Sequence, residues 1–410
     1  MQSFRKKVYV GAGYNTIYMG TGRKEFNPSK PMRTFDEYLK ETAEGTCAQL
    51  PSVHIDEGII GSFMSGRFLK QANLAGFLPF MVPTLTGKPC TGVEGACGTG
   101  GRAIAMALRS VLSDLSDTVF VAGFEIQNII KAIYGADVLA GAAYYNKERK
   151  KGNAFFFPGL FAERAGAYFS KYGEDLTRRG MAKWYEQSII NARKNPKAQE
   201  YQNQVQDLFS LAMTPPNPKQ FVPFINLYNC SKVSDGASSL VILSEEGLQR
   251  NRLSKNDVVE IVGIGEAEGN ITEAPTDETA LSTTEIAVQK ALANAGIKKD
   301  DIAVLEIHDC FGITGLLSFE AIGYSEKGKS AQFVLDGHSS IEGVIPTNLS
   351  GGLSGFGHPT GASGVRQMVD LLHQLTQKAS NQAKLKKPYG MMISMGGNDK
   401  TVTCIIVKAI

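Results

Sequence analysis

One cysteine is set apart by its surroundings. Cys97 lies in the run Val93-Glu94-Gly95-Ala96-Cys97-Gly98-Thr99-Gly100-Gly101, and apolar residues recur behind it at Ile104, Ala107, Leu108, Val111 and Leu112. That spacing is one face of a helix, so Cys97 is expected at a helix N-terminus. Unpaired backbone N–H groups and the positive end of the helix dipole favour a thiolate there, and the glycines let a substrate come close. A lone cysteine in a Gly-rich turn is ordinarily just a small buried hydrophobe. A second, matching turn decides against that reading: His358-Pro359-Thr360-Gly361 echoes Cys97-Gly98-Thr99-Gly100. It too follows Gly-rich residues and opens a helix pattern, with Val365, Met368, Val369 and Leu372 on one face. A third group, His308-Asp309-Cys310-Phe311, follows the apolar run Ile302 to Ile307. That run reads as a buried strand, and α/β folds place their sites at the C-terminal ends of such strands. A nucleophilic thiol, two imidazoles and a second thiol are the parts of covalent acyl chemistry with proton transfer.

The elements that must position these residues form a repeat. Residues 1–125 alternate strand-like runs (Lys7–Gly11, Gly58–Phe63, Thr118–Phe124) with helix-like ones (Thr34–Gln49, Gly100–Asp114), an α/β pattern. Residues 126–227 change character, with Tyr144-Tyr145, the basic run to Lys151, Phe155-Phe156-Phe157-Pro158 and a closing Pro215-Pro216-Asn217-Pro218. This middle part is expected to be an excursion that folds on the surface of the first domain. The stretch 228–250 carries Ser234-Asp235-Gly236-Ala237 and a strand to Leu243 that completes the first half. Residues 256–410 then repeat the opening order: a strand from Val258, a helix from Thr283 to Ala295, the His358 turn and helix, and a strand ending at Gly396. Matched order of this kind implies two similar α/β halves. Packed about a pseudo-twofold axis, they would bring both helix N-termini to one cleft, with His358 opposite Cys97.

Composition narrows the function classes. The chain has 410 residues, 43% of them apolar, with a net charge of +3. It is long enough for two domains or more and too evenly charged to call for nucleic acid. No apolar run approaches the roughly 20 residues that span a bilayer. The basic start, Met1 to Lys7, passes straight into a strand-like run and does not read as a signal peptide. Six scattered cysteines and five histidines form neither a disulfide framework nor a metal motif in sequence. Reduced thiols in the cytoplasm are the expectation.

Together, the Cys97 turn, His308-Asp309-Cys310-Phe311, Gly357-His358-Pro359-Thr360-Gly361-Ala362-Ser363-Gly364 and the Ser234-Asp235-Gly236-Ala237 turn resemble the thiolase family, over nearly the whole chain and in the expected order. The His-Asp-Cys-Phe loop resembles the sterol-carrier-protein type and its bacterial and archaeal relatives. The resemblance implies a thiolase fold, with αβαβα layers in two mixed-sheet halves and an inserted loop domain. It implies acyl transfer through an acyl-Cys97 intermediate, either thiolysis of a 3-oxoacyl-CoA or Claisen condensation of acetyl-CoA units. It assigns His358 as base to Cys97, and Cys310 and His308 to moving the α-proton and holding the enolate oxygen. One oxyanion hole would combine His358 with His308 or a water that His308 holds, and a second the N–H groups of Cys97 and Gly396. Asn229 and Ser231 would line the pantetheine channel, although ordinary turn chemistry explains them equally well. Phe311 closes the catalytic loop on the substrate side. No cofactor is implied beyond coenzyme A thioesters as substrates, and the partners are acyl-CoA, CoA and further copies of the chain in a dimer or tetramer.

The sequence also departs from the commoner thiolase pattern. Ser394 stands where many members have a cysteine two residues before the glycine, and a hydroxyl is a poor proton shuttle near neutral pH. The thiol is regained at Cys310. Pro158-Gly159-Leu160-Phe161-Ala162-Glu163 differs from the usual Met-Gly-x-Thr-Ala-Glu, and Phe161 would alter or narrow the acyl pocket. The basic groups Asn146 to Lys151, Arg178-Arg179 and Arg193-Lys194 either meet the phosphates of coenzyme A or form solvated faces. Two other functions fit part of the pattern. A decarboxylating, ketosynthase-like condenser would use Cys97, His308 and His358 without needing Cys310, and an acyl-CoA-binding scaffold subunit would need none of them intact.

Overall fold

The computed structural model describes residues 4–410; the first three residues of the basic N-terminal stretch lie outside it. Nine strands are found among the described residues: β1 (Tyr9–Asn15), β2 (Glu57–Gly61), β3 (Cys90–Val93), β4 (Thr118–Glu125), β5 (Gly236–Leu243), β6 (Val258–Glu268), β7 (Ile302–Glu306), β8 (Tyr389–Gly396) and β9 (Thr401–Ala409). Seven helices bear on the site: α1 (Phe35–Cys47), α2 (Thr99–Leu112), α3 (Phe156–Tyr172), α4 (Glu174–Ala192), α5 (Ser282–Ala295), α6 (Gly312–Ile322) and α7 (Ser363–Leu375).

The strands hydrogen-bond in the order β3-β2-β4-β5-β1-β6-β9-β8-β7. Each half begins with a central strand, and these first strands pair antiparallel, Tyr9 with Glu260 and Gly11 with Val258. Outward from that seam the halves mirror each other: β5 and β9, then β4 and β8, then β2 and β7. The position of β3 is taken in the second half by a single parallel bridge, Leu305 to Thr347. The repeat legible in the sequence is therefore a repeat in space.

Helices α2 and α7 form the middle layer. Ala103, Ile104, Ala107, Leu108 and Val111 of α2 share one buried cluster with Val365, Met368, Val369 and Leu372 of α7 and with residues of both sheet halves. On the outer faces, α1 packs against β1 and β5, and α5 against β6 and β9. The layers thus run αβαβα. The N-terminal ends of α2 and α7 meet backbone to backbone. A Cβ on Gly100 would lie 2.6 Å from the Val365 nitrogen, and one on Gly364 would lie 2.4 Å from the Gly101 nitrogen. Glycine at these positions is what lets the two turns converge.

The aromatic middle segment does not fold only on the first half, as its place in the chain suggests. Phe161, Ala165, Tyr168 and Phe169 of α3 and Met181 and Trp184 of α4 join a core with Leu305, Ile313, Leu316 and Phe319 of the second half. The physical reason is a shortage of cover. Helix α6 is apolar nearly all round and buried on every side, so a second layer of helices must lie over it.

Candidate active site

Cys97 sits in a 3₁₀ turn, Ala96–Gly98, that leads directly into α2. The preceding residue, Ala96, has φ of +53°, a left-handed conformation costly for a residue with a side chain. Local bonds hold it there: Gly95 N–H donates to Thr99 Oγ1 (2.9 Å), and Thr99 Oγ1–H donates to the Ala96 carbonyl (2.6 Å). The turn leaves Cys97 partly exposed between buried neighbours.

His358 is held far more completely. Its backbone N–H donates to Ser234 Oγ (2.9 Å), and its carbonyl accepts from Gln127 Nε2 (2.8 Å). Its ring Nδ1 lies 2.7 Å from Ser363 Oγ, whose own hydroxyl donates to the Pro359 carbonyl (3.1 Å). With that hydroxyl proton committed, the serine oxygen accepts from Nδ1–H and leaves Nε2 as the bare lone pair. Nε2 is buried and has no protein partner.

The loop after β7 brings the third group. His308 is buried with both ring nitrogens unpartnered, and its ring lies edge-on to His358 with centroids 5.2 Å apart. The sulfur of Cys97 and one ring nitrogen each of His308 and His358 lie within 4.8 Å of one another. Three such atoms could also hold a soft cation, which their separation in sequence gave no sign of. Cys310 is buried with its sulfur 3.8 Å from Thr314 Oγ1. Asp309, between them, accepts from Trp184 Nε1 (3.1 Å) and the Leu353 N–H (2.8 Å) and so anchors the loop to α4 and to the turn before His358. Arg366 of α7, wholly buried, donates to Glu306 at the end of β7 (3.2 Å) and to Ser350 (2.6 Å), which fixes that strand end against α7.

Burial sets the protonation of every member. It pushes the Cys97 thiol up to about 12, with Glu125 and Glu94 adding to the rise and the N–H groups of Cys97 and Gly397 opposing it. Burial raises Cys310 well above the usual thiol range, and the charge of Cys97 raises it further. Burial lowers His308, with help from His358, and lowers His358 to about 3, with help from Arg366. At neutral pH the site therefore holds two thiols and two neutral imidazoles. At Cys97 desolvation works against the thiolate that the turn's N–H groups favour.

The remaining predicted residues are placed as follows. Gly396 stands against the Cys97 turn, where a Cβ would be 2.3 Å from the Gly95 carbonyl, but the second N–H bearing on the Cys97 sulfur belongs to the next residue, Gly397. Asn229 is buried, and its Oδ1 accepts from the Asn226 N–H (3.0 Å) in a closed turn. Ser231 donates its backbone N–H to the Cys310 carbonyl (2.8 Å), so 229–231 braces the Cys310 loop through its main chain. Phe311 stacks on Phe161 with centroids 4.3 Å apart. In the basic run, Arg149 pairs with Asp137, and Lys151 with Glu148 and Glu163. The residue that sequence reading missed is Glu125, the last of β4, wholly buried. Its signal was present: an acid closing the apolar run Val119 to Phe124.

Comparison with known proteins agrees with this construction. A family described as "Thiolase C-terminal domain-like" matches residues 265–409. An acetyl-CoA acetyltransferase of Methanocaldococcus jannaschii is 31% identical over 86% of this chain and 87% of its own length. Bovine sterol carrier protein 2 is 27% identical over 90% of this chain and 68% of its own length. Among solved structures, human mitochondrial 3-ketoacyl-CoA thiolase superposes with a TM-score of 0.72 at 17% identity, over 99% of this chain and 100% of that one. A chain of an Ltp2-ChsH2(DUF35) aldolase superposes with a TM-score of 0.77 at 19% identity, over 98% of both chains. The chain belongs to the thiolase family. It is an acyltransferase of that family, built on the thiolase fold.

Proposed function

We propose that this enzyme makes or cleaves 3-oxoacyl-CoA by reversible Claisen chemistry on acetyl-CoA, with Cys97 as the acylated nucleophile. The observation that carries the proposal is the meeting of the Cys97 sulfur with two unpartnered neutral imidazoles within 4.8 Å. In the first half-reaction His358 Nε2 takes the thiol proton as Sγ attacks the thioester carbonyl. The acyl–sulfur bond to coenzyme A breaks, and its thiolate leaves with a proton. The N–H groups of Cys97 and Gly396 are the proposed donors for the oxygen of the acyl group, with the Gly397 N–H beside the sulfur.

In the condensing direction, Cys310 first gives its proton to His358 Nε2 and, as the thiolate, takes an α-proton from a second acetyl-CoA, while His308 and the now protonated His358 donate to the enolate oxygen. The enolate carbon attacks the acyl carbon, the acyl–Sγ bond breaks, and Cys97 takes the proton from His358 Nε2 to leave as thiol. Asn229, Ser231 and Phe311 belong to the proposed wall around the substrate arm. A dimer or tetramer in the cytoplasm is part of the same proposal, supported by the open ladder of edge strand β3 and by six free thiols. No helix among the described residues is long and apolar enough to cross a membrane.

Purified protein is to be assayed for thiolysis and for CoA release with 3-oxoacyl-CoAs and acyl-CoAs of graded length. Turnover of at least one 3-oxoacyl-CoA, with acyl-Cys97 trapped by mass spectrometry, is expected. Turnover confined to malonyl thioesters and indifferent to Cys310→Ala would establish decarboxylative condensation in its place.

A further inference from the structure

A single carboxylate joins the two halves of the site. Glu125 Oε1 accepts from Ser62 Oγ (2.9 Å) and the Met64 N–H (3.1 Å). Its Oε2 accepts from the Phe63 N–H (2.8 Å), Thr360 Oγ1 (2.9 Å) and the Gly361 N–H (3.2 Å). The first set lies in the loop after β2, in the first half, and the last two lie in the turn that carries His358, in the second. Close backbone contact runs alongside: a Cβ on Gly361 would lie 2.4 Å from the Phe124 carbonyl and 2.8 Å from the Ser62 Cα. The carboxylate is wholly buried and has no cationic partner in its bonds. Five donors to one uncompensated buried charge is an expensive arrangement to maintain for packing alone.

We propose that Glu125 is a positioning residue of the acyl-transfer site, whose carboxylate clamps the His358 turn to the loop after β2 and thereby sets the approach of His358 to Cys97. The proposal rests on the roles assigned above to those two residues. The same charge also opposes a thiolate at Cys97, second only to burial.

The two effects separate by substitution. Glu125→Gln keeps the shape and removes the charge. Its amide oxygen can still accept from Phe63, Thr360 and Gly361, while its NH₂ faces Ser62, whose oxygen can accept, and leaves only the Met64 N–H unpaired. Glu125→Asp keeps the charge and withdraws it by one methylene from Thr360 and Gly361. Alkylation of Cys97 by iodoacetamide is followed against pH by peptide mapping, alongside thiolysis kinetics and thermal melting. Glu125→Gln is expected to move the alkylation profile to lower pH, with about tenfold faster modification at fixed pH for each unit moved. Glu125→Asp is expected to leave the profile near that of the wild type and to lower kcat about 100-fold, the scale of a 1 Å misplacement. A profile unmoved in Glu125→Gln, or wild-type kcat in Glu125→Asp, overturns the proposal. Should either variant fail to fold, Thr360→Val removes one link alone and is expected to lower kcat while KM for the acyl-CoA holds; unchanged kcat there also overturns it. Failure of Cys97 to be acylated in the wild type would instead strike the underlying assignment and is read separately from these variants.

Discussion

The turns that open α2 and α7 occupy equivalent places in the two halves, yet they are held in different ways. The Cys97 turn is bound mainly to itself, through Thr99, and reaches its geometry by a left-handed Ala96. The His358 turn is bound to everything around it: Ser234 and Gln127 grip its backbone, Ser363 its ring, and Glu125 the two residues beyond Pro359. Cys97 is partly exposed, whereas His358 is buried. A nucleophile must be reached by its substrate and must change its bonding during turnover, so it gains from a local, self-contained turn. A base must keep one tautomer and one direction, so it gains from neighbours that fix both. The repeat supplies two helix entries, one held locally and the other from all sides, which suits the proposed roles of Cys97 as nucleophile and His358 as base.

The largest expected effect comes from removing the reactive partner. Cys97→Ala should form no covalent acyl-enzyme and should lose turnover by a factor on the order of 10⁴ to 10⁶, as when a nucleophile is deleted from a catalytic set. Intact-mass measurement after incubation with acetyl-CoA checks the first part and thiolysis kinetics the second. Acylation of any other thiol at the wild-type rate would erase the distinction between the two turns. Next comes the third group, which belongs to neither turn. Cys310→Ala should still be acylated at Cys97, but should lose about 10²- to 10⁴-fold in exchange of the α-protons of bound acetyl-CoA with deuterated solvent. Ser394 offers no replacement. Its buried hydroxyl has no partner and is wedged at the crossing of α2 and α7, 3.0 Å from where a Cβ on Gly101 would lie.

These particulars show what the sequence could and could not disclose. Cys97, His308, Cys310 and His358 were legible because each lies in a short motif at the end of a periodic run, and periodicity survives in one dimension. The pairing of the halves was legible because strand, helix and turn recur in the same order. The clamp was not, since Glu125 meets Ser62 and Thr360 only after the halves have packed, and no spacing connects residues 62, 125 and 360. The pull against a thiolate at Cys97 was hidden for a related reason. The helix N-terminus that favours a thiolate is local and visible in sequence, while the desolvation that opposes it comes from the whole fold. The placement of the middle segment failed in the same way, because which half needs cover depends on how apolar α6 is on its outer side.

The rigidity of the His358 turn should also register in stability. Asp235, buried behind it, accepts from the Gln127 N–H (2.6 Å) and the Asn128 N–H (2.9 Å), and burial raises its carboxyl to about 6 from an ordinary 3.8. A carboxyl raised in the folded state binds its proton more tightly there than in the unfolded chain. Its contribution is therefore complete below about pH 3.8 and is lost as pH rises through 6. In Asp235→Asn that loss is absent, because the neutral amide can accept the same bonds. Its stability relative to wild type should rise by roughly 2–3 kcal/mol between pH 4 and 7. Urea unfolding of both proteins across that range checks the slope, and parallel curves would mean that Asp235 is not the group that titrates.

The smallest effect tests the comparison most closely. Ser363 is the one residue that holds the His358 ring rather than its backbone, and it does so as the first residue of α7. In Ser363→Ala the helix and the turn should persist, since Ser234, Gln127 and Glu125 still hold the main chain. Only Nδ1 loses its partner, so the ring is free to place its proton on either nitrogen. One hydrogen bond of about 1 kcal/mol corresponds to a fall of about 3- to 10-fold in kcat. The fall should appear in the rate of Cys97 acylation as well, because both depend on a bare Nε2, while KM for the acyl-CoA should not change. Pre-steady-state acylation measured beside steady-state thiolysis separates the two. If Ser363→Ala acylates at the wild-type rate, the ring does not need its serine to hold the tautomer, and the rigidity of the second turn resides in its backbone alone.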